Sequence, residues 1–408
     1  MGSWPAAQSK IVTVPNELWR NWDEESTPTI DVAQTSPPEI ASISVPALDD
    51  AAADAIVGAL KATAQLHARS DRTPGVLGHL SAVLIRADAV ASSQIEHITT
   101  SAEQLAVKLA DLSDGDAGAY TTDTELVAAN VEAALSAHRS GNAVSTDWFH
   151  RLHRELLAAD PEIEPRHRGR WRDGAVWVGR TRAVAEFEGP PHGQVPALMD
   201  DLVRFARRVD VHPVLHAAVA HAQFLTIHPY VDGNGRIGRL LIHKLLPAGG
   251  APVPVAHGLL SDPVRYVSGL TSYRSGDLDA WVGVFADAVT VAARVASRLV
   301  GRLDDLRSDY HGRVRTRSGS SVPQVIDMLL DNPAVTAQSI QDRFGVTSAR
   351  AGQILHRLAD AGILRPSPYK AGRSKVWIAP EVIDAVDVIN ALVSRRPLPE
   401  AATTAPYT

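Results

Sequence analysis

Between two apolar segments, His228-Pro229-Tyr230-Val231-Asp232-Gly233-Asn234-Gly235-Arg236-Ile237-Gly238-Arg239 gathers the groups needed to hold a polyphosphate and move a proton. Gly233-Asn234-Gly235 lets the backbone take positive φ and turn several N–H groups toward one point. At the start of a helix this makes an anion nest with the helix dipole behind it. Arg236 and Arg239 lie three apart on the new helix, so both guanidinium groups can reach the same anion. Asp232 is a single carboxylate beside the nest, suited to Mg²⁺ held jointly with phosphate oxygens. His228 is the one group here able to accept a proton near neutral pH. The chemistry implied is a magnesium-bound nucleotide polyphosphate next to a general base.

The elements that must position these groups are helical. Upstream, Leu215, Ala218, Ala222 and Leu225 share a helix face and Pro213 suits a first helical position; downstream, Ile237, Leu240, Leu241 and Leu245 recur at helical spacing. The polar residues therefore occupy a loop between two buried helices, where a rigid scaffold places a site. Asp49 or Asp50 can cap a helix carrying Ile56, Leu60 and Leu66, and Ser145 can cap another. Further amphipathic stretches fall at about 76–93, 100–112, 122–138, 145–158, 192–209, 263–274 and 277–307. The β-prone runs Ala175–Gly179 and Ala183–Phe187 predict a small hairpin within this helical body. The first 45 or so residues are rich in Pro, Ser and Thr and read as an extended arm with few regular elements.

The chain has 408 residues, 45% hydrophobic and 21% charged, enough to bury a core in two or three domains. Cysteine is absent, which excludes disulfides, thiolate metal sites and a catalytic thiol. No uninterrupted apolar run reaches the roughly 18 residues that span a bilayer, and the start shows no secretory signal, so the expectation is a soluble, cytoplasmic protein. The net charge of −6 conceals an asymmetry: residues 309–378 hold ten Lys/Arg against five Asp/Glu, a local +5 that leaves −11 elsewhere. A basic segment on an acidic body points to a separate partner for the C-terminal part.

The segment His228–Arg239 resembles the signature of the Fic/DOC family, with Tyr230 in place of the usual Phe. The similarity extends over roughly residues 50–300: Gly169–Gly179 looks like the family's flap hairpin, Pro190-Pro191 follows it, and Trp281 and Phe285 resemble the pair that closes the core. The resemblance implies a mainly α fold, a Fic-type helical bundle with a small β-hairpin flap. It implies transfer of AMP from ATP to a Ser, Thr or Tyr hydroxyl of a target protein. By the same resemblance His228 would deprotonate that hydroxyl, and Asp232 would bind Mg²⁺ bridging the α- and β-phosphates. The Gly233–Gly235 amides and Asn234 would hold those phosphates with support from Arg236, and Arg239 would grip the γ-phosphate. The flap at Val176, Trp177 and Val178 would pair with the target backbone as an added strand.

A second segment, Ser92-Ser93-Gln94-Ile95-Glu96-His97, resembles the family's inhibitory motif, departing from it where His97 replaces Gly or Asn. The resemblance implies that Glu96 pairs with Arg239 and keeps it from the γ-phosphate; the same glutamate could instead orient water to remove AMP, which leaves an eraser or bifunctional role open. Beyond a polar Gly/Ser-rich stretch, helices over Val322–Leu330, Ala337–Phe344 and from Thr347 or Ser348 to about Ala361, followed by a basic hairpin, resemble a winged helix. Arg350, Gln353, Arg357, Arg373 and Lys375 are its candidate contacts to duplex DNA, and docking or dimerisation is the alternative use. The expected division is an N-terminal arm (1–48), a Fic domain (49–308) with its inhibitory helix at about 78–97 and flap at about 170–188, a linker (309–321), a winged helix-turn-helix domain (322–380) and a C-terminal helix and tail (381–408). Other readings kept open are a DNA-binding regulator with a nucleotide-sensing Fic domain, a donor other than ATP such as another nucleotide or a phosphocholine carrier, and a homodimer.

Overall fold

The computed structural model describes residues 3–16, 28–72, 77–114, 120–141, 143–179, 181–246, 250–315, 319–371 and 374–393. Two strands come first, β1 (Gln8–Pro15) and β2 (Thr29–Ser36), then helices α1 (Asp50–Asp71), α2 (Leu77–Ile95), α3 (Ala102–Asp114), α4 (Thr122–Arg139) and α5 (Thr146–Leu156). Short strands β3 (Trp177–Val178) and β4 (Phe187–Glu188) precede α6 (Val195–Ala206), α7 (Pro213–Ile227), α8 (Asn234–Leu245), α9 (Val255–Ser261), α10 (Pro263–Arg274) and α11 (Leu278–Arg313). The chain then runs through α12 (Val322–Asp331), β5 (Ala334–Val335), α13 (Ala337–Phe344), α14 (Ser348–Asp360), β6 (Arg365–Ala371), β7 (Ser374–Ile378) and α15 (Pro380–Val393). The fold is mainly α with small sheets, as the sequence predicts.

The caps sit where the residue types place them. The Asp49 carboxylate accepts from the Ala52 N–H at 2.8 Å and the Ser145 hydroxyl from the Trp148 N–H at 3.1 Å. The core is built on α11, which packs against α1, α7, α9, α10, α12 and α15. An 18-residue window of α11 reaches a mean hydropathy of 1.3, long and apolar enough to cross a membrane, yet half of that window is buried inside the protein. Trp281 and Phe285 are wholly buried on it, and the Trp281 indole N–H donates to the Ala218 carbonyl of α7 at 2.9 Å. Helix α7 is itself buried from Val214 to Ile227, so the loop that follows it starts from the best-packed part of the molecule.

Two expectations are corrected. The N-terminal arm is not poor in regular structure: β1 and β2 form an antiparallel hairpin from Gln8↔Ser36 to Pro15↔Thr29, and β2 lies parallel to β4 at Gln34↔Glu188. The resulting sheet has the order β1-β2-β4-β3, so the arm extends the flap. Alternation in Thr29-Ile30-Asp31-Val32 was the signal for β2, masked by its Pro-rich flanks. The linker also begins later than 309, because α11 continues to Arg313: Tyr310 is wholly buried and Arg313 forks onto both oxygens of Glu381 at 3.0 Å. Tertiary burial of Tyr310 carries the helix into the polar, Gly/Ser-rich stretch read as linker.

The C-terminal segment forms a three-stranded sheet of order β5-β7-β6 beside α12, α13 and α14. Thr336 and Ser339 make a capping box for α13, Gly345 ends it at φ 63°, and Thr347 caps α14. This unit is fastened to α2 and α3. Arg86 donates to the Asp331 carbonyl and, at 2.9 Å, to Asn332 Oδ1, while Glu103 receives Arg365 at 2.7 Å and the Ser367 hydroxyl at 2.7 Å.

Trp281→Ala should lower the stability of the protein by about 3–5 kcal/mol, the range for emptying a buried aromatic site. Urea unfolding followed by circular dichroism measures this, and a loss below about 1 kcal/mol would contradict the placement of Trp281 at the centre of the core.

Candidate active site

Helix α7 ends at His228, whose backbone is left-handed (φ 49°, ψ 63°) and whose N–H closes the last helical turn onto Phe224. A non-glycine residue is held in that region only when its surroundings determine it. Here Arg172 does so: its Nε donates to the His228 carbonyl at 2.8 Å, its Nη1 to Gly174 at 2.6 Å and its Nη2 to Pro190 at 2.6 Å, all with the guanidinium buried. The His228 ring sits 3.1 Å from the Leu225 carbonyl through Nδ1. Since a carbonyl only accepts, Nδ1 carries the proton and Nε2 keeps its lone pair. Burial lowers the pKa of His228 to about 4, with the Leu225 bond opposing that shift, so the ring is a neutral base at physiological pH.

The loop beyond His228 is closed by one side chain. Asn234 Oδ1 accepts from the Tyr230 N–H at 2.9 Å and its Nδ2 donates to the Tyr230 carbonyl at 2.8 Å. Both ends of this amide bond the loop, so Asn234 shapes the nest, and one of its two Nδ2 N–H donors is used in doing so. Gly233 takes φ 74° as the N-cap of α8, where a Cβ would press on Leu156. Tyr230, the residue that departs from the family pattern, is wholly buried and stacks on His153 with ring centroids 3.7 Å apart. Its hydroxyl meets His150 Nδ1 at 3.2 Å, which explains why a phenol is tolerated in place of a phenyl ring. His153 receives the Gly169 N–H on Nδ1 at 2.8 Å, so its Nε2–H donates to the Asp232 carbonyl at 3.1 Å. Burial lowers its pKa to about 3 and keeps this neutral arrangement in place.

The charged groups fall into two states of satisfaction. Arg236 is buried, pairs through Nη2 with Asp232 Oδ2 at 3.0 Å, and has Nε and Nη1 without a hydrogen-bond partner among the described residues. Buried guanidinium N–H groups without acceptors are costly unless an anion fills the space beside them. Arg239 is the opposite case. Its Nε donates to the Ser92 hydroxyl at 2.7 Å, and its Nη2 donates to the Ser92 carbonyl at 2.9 Å and to Glu96 Oε1 at 2.7 Å. Burial alone would lower the Arg239 pKa, but the Glu96 charge and Tyr266 raise it on balance. Tyr266 is fixed in turn by His221 Nε2 at 2.9 Å, and burial pushes its phenol up to about 12.

These contacts are part of a ladder. Asp88, Ser92 and Glu96 recur every four residues on one face of α2 and at its C-terminal end, and meet His243, Arg239 and Gly235, spaced by four on α8. Asp88 Oδ2 lies 2.5 Å from His243 Nε2, and its other oxygen accepts from the Ala256 N–H at 2.7 Å. Burial would raise the Asp88 pKa, yet His243 and His257 hold it well below the carboxylate range. At the other end the Glu96 carboxylate packs so tightly on Gly235 that a Cβ there would overlap it. His97 supplies the left-handed residue (φ 60°) that ends α2, with the Ile98 N–H bonded back to Ser93 at 3.0 Å. The position where the inhibitory motif has Gly or Asn is thus one that demands positive φ, and His97 adopts it at some cost in strain.

A cleft collects these groups: His228, Asp232–Arg236, Arg239 and Glu96, closed by Val178 and Phe187 of the flap and by Leu270 and Arg274 of α10. Arg274 lies over the Phe187 ring at 4.7 Å. The flap strand β3 is the outer member of its sheet. Of the three expected flap residues, Trp177 and Val178 form β3, while Val176 is buried and anchors the strand by accepting from Gly189 at 3.0 Å. Asp232 offers one carboxylate, half-exposed in the cleft, and no group of three or more His, Asp or Glu able to hold a metal occurs among the described residues. That donor set fits Mg²⁺ carried in on a polyphosphate and keeping several waters.

Arg350, Gln353 and Arg357 are exposed on α14, outside this cleft. Arg350 donates to Gln353 at 3.3 Å, Arg357 to the Arg315 carbonyl, and Lys375 lies 4.3 Å over the Trp377 ring; Arg373 falls outside the described residues. Arg172, His153, Tyr266 and Arg274 were not singled out by sequence, since no spacing links them to the loop they serve.

Residues 143–246 match the Fic/DOC family. Relatives named "Protein adenylyltransferase Fic" from Drosophila willistoni and Drosophila melanogaster are 34% identical over 140 residues and 33% identical over 147, each covering 33% of this chain and 26% of the relative. The chain thus spans about a quarter of the length of those relatives. A Fic family protein from Desulfovibrio desulfuricans, 18% identical, superposes with a TM-score of 0.50 over 82% of this chain and 97% of its own, a likeness of fold alone. Much of the site described above lies within residues 143–246, the segment of this chain that is similar to the Fic/DOC family.

Proposed function

We propose that the protein transfers AMP from ATP to a Ser, Thr or Tyr hydroxyl of a target protein and is held inactive by α2. The observation that carries this reading is a neutral His228 with Nε2 available, set beside a nest whose Arg236 keeps unpartnered N–H donors. His228 Nε2 takes the hydroxyl proton; the oxygen bonds to the α-phosphorus, the bridging P–O bond to the β-phosphate breaks, and pyrophosphate leaves. The N–H groups of Gly233–Gly235 and the Arg236 guanidinium hold the α- and β-phosphates, and Arg239 grips the γ-phosphate once freed from Ser92 and Glu96. Asp232 would hold Mg²⁺ jointly with phosphate oxygens, which supplies neutralising charge there when bound. The outer position of β3 in its sheet would let the target add as a further strand beside the site.

A second reading, hydrolytic removal of AMP, is supported by the Glu96 carboxylate lying in the same cleft as His228. For the C-terminal unit we propose a winged helix. The order helix, strand, helix, helix, hairpin and the exposed Arg350, Gln353 and Arg357 on α14 support contact with duplex DNA.

Incubation of the full chain with labelled Mg-ATP tests the enzyme reading. Glu96→Gly should raise covalent labelling by about tenfold or more, since a buried ion pair no longer competes for Arg239, and adding His228→Ala should remove that label by about 10²–10⁴-fold. Labelling that survives His228→Ala, or is unmoved by Glu96→Gly, would contradict it; faster loss of AMP from a pre-modified target with wild type than with Glu96→Gly would instead favour removal. Because the folded His228 pKa is depressed to about 4, the Glu96→Gly rate should stay level as pH falls from 8 to 6, where an unperturbed histidine would begin to titrate. A decline centred near pH 6.5 would show His228 to be less buried than described. Binding of duplex DNA that weakens steeply with salt in a mobility-shift assay would support the winged-helix contact, and absent or salt-insensitive retention would favour docking.

A further inference from the structure

The stretch Ser92–His97 is held from a second side, away from Arg239. Two residues apart on a helix is close to half a turn, so Arg86 leaves α2 on the face opposite Asp88 and away from α8. There it caps the end of α12: its terminal nitrogens donate to the Asp331 carbonyl and, at 2.9 Å, to Asn332 Oδ1. A cation at the last carbonyls of a helix is favoured both by the dipole and by the orphan acceptors. Helix α12 is in turn fixed to α11, where Arg307 forks onto the Asp327 carboxylate at 2.8 and 3.2 Å and His311 meets it at 2.9 Å.

After the same stretch, the first turn of α3 carries Glu103, which accepts from Arg365 Nη2 at 2.7 Å and from the Ser367 hydroxyl at 2.7 Å, both on β6. Behind this pair Val107 of α3 is wholly buried against Ala334 of β5 and Val376 and Ile378 of β7. Residues 92–97 are therefore bracketed, with α12 gripping the chain before them and the β5-β7-β6 sheet gripping it after them. Asn130 of α4 supports them from the inside, donating to the Ala89 carbonyl at 2.7 Å and to the Ser93 hydroxyl at 3.0 Å. Both brackets belong to the C-terminal unit, and neither Arg86 nor Glu103 lines the cleft of His228 and Arg239.

We propose that the C-terminal unit clamps α2 onto Arg239, with Arg86 and Glu103 as the positioning residues of the clamp. Freeing Arg239 requires the end of α2 to leave α8. The two attachments resist that movement from either side of the motif, so opening one of them shifts the balance toward the released state. The effect on AMP transfer rests on the inhibited-transferase reading; the clamp itself does not.

Hydrogen exchange of the full chain, followed by mass spectrometry on peptides covering 92–97 and on α7 as a control, tests the clamp. Glu103→Arg should speed exchange at 92–97 by about threefold or more and leave α7 unchanged. Adding Arg365→Glu, which rebuilds the partly exposed ion pair with its signs exchanged, should return the rate toward wild type. Arg86→Met keeps the stem, removes the donors and should speed exchange likewise; if it does not fold, the charge exchange decides. Unchanged exchange in Glu103→Arg or in folded Arg86→Met, or a rise that Arg365→Glu fails to reverse, would overturn the clamp. With labelled Mg-ATP, Glu103→Arg should raise labelling by otherwise wild-type protein about threefold or more and add nothing in Glu96→Gly, where Arg239 is already released. No rise in the first, or an equal rise in both, would end the coupling to AMP transfer while the clamp stands on its exchange data. If Glu96→Gly labels nothing, the transferase reading fails and exchange alone judges the clamp.

Discussion

A guanidinium sealed inside a protein must have acceptors, and in this chain those of Arg239 come from α2. Ser92 and Glu96 take its Nε and Nη2, and at 2% exposure no water can stand in for them. The proposed inhibition by α2 rests on that bond set. Removing one partner from a buried pair costs about 3–5 kcal/mol unless another anion replaces it. A terminal phosphate is such an anion, so the same arginine can be locked by a carboxylate or engaged by a nucleotide. The rung formed by Asp88 and His243 extends the lock one turn further and ties both helices together away from the chemistry.

The other half of the site is already arranged for reaction. His228 has its tautomer set by the Leu225 carbonyl and its left-handed backbone set by Arg172. The nest is folded by the Asn234 amide and propped from outside by His153, whose own tautomer follows from the Gly169 N–H. Preorganised donors and a fixed lone pair need little reorganisation when charge develops, which is where electrostatic catalysis gains most. The cleft thus pairs a preorganised loop and histidine with one arginine held by α2.

Much of this was legible in the sequence because it is local. The His228–Arg239 stretch carries its chemistry within a single loop and helix turn, and Ser92 and Glu96 are one helical turn apart. What was not legible depends on distant pairing. The contact of Gln34 with Glu188 joins residues separated by 154 positions, and nothing in either segment announces the other. The extension of α11 through Tyr310 arises from burial that carries the helix into a polar, Gly/Ser-rich stretch. The part of Asn234 in folding the loop back onto Tyr230, four residues before it, is a feature that the motif alone does not announce. His97 looked like a departure from the inhibitory motif, and its positive φ shows that the position selects a backbone conformation more than a residue type.

The central claim is that α2 withholds Arg239 from a terminal phosphate. It is tested most directly by comparing the affinities of ADP and α,β-methylene-ATP, with magnesium, for wild type and Glu96→Gly. With Arg239 engaged by α2, the third phosphate should add little affinity in wild type, within about threefold, and about tenfold or more in the variant, the scale of a charge-assisted bidentate contact. An equal increment in both proteins would show that Arg239 is not the group α2 controls, and the account would fail.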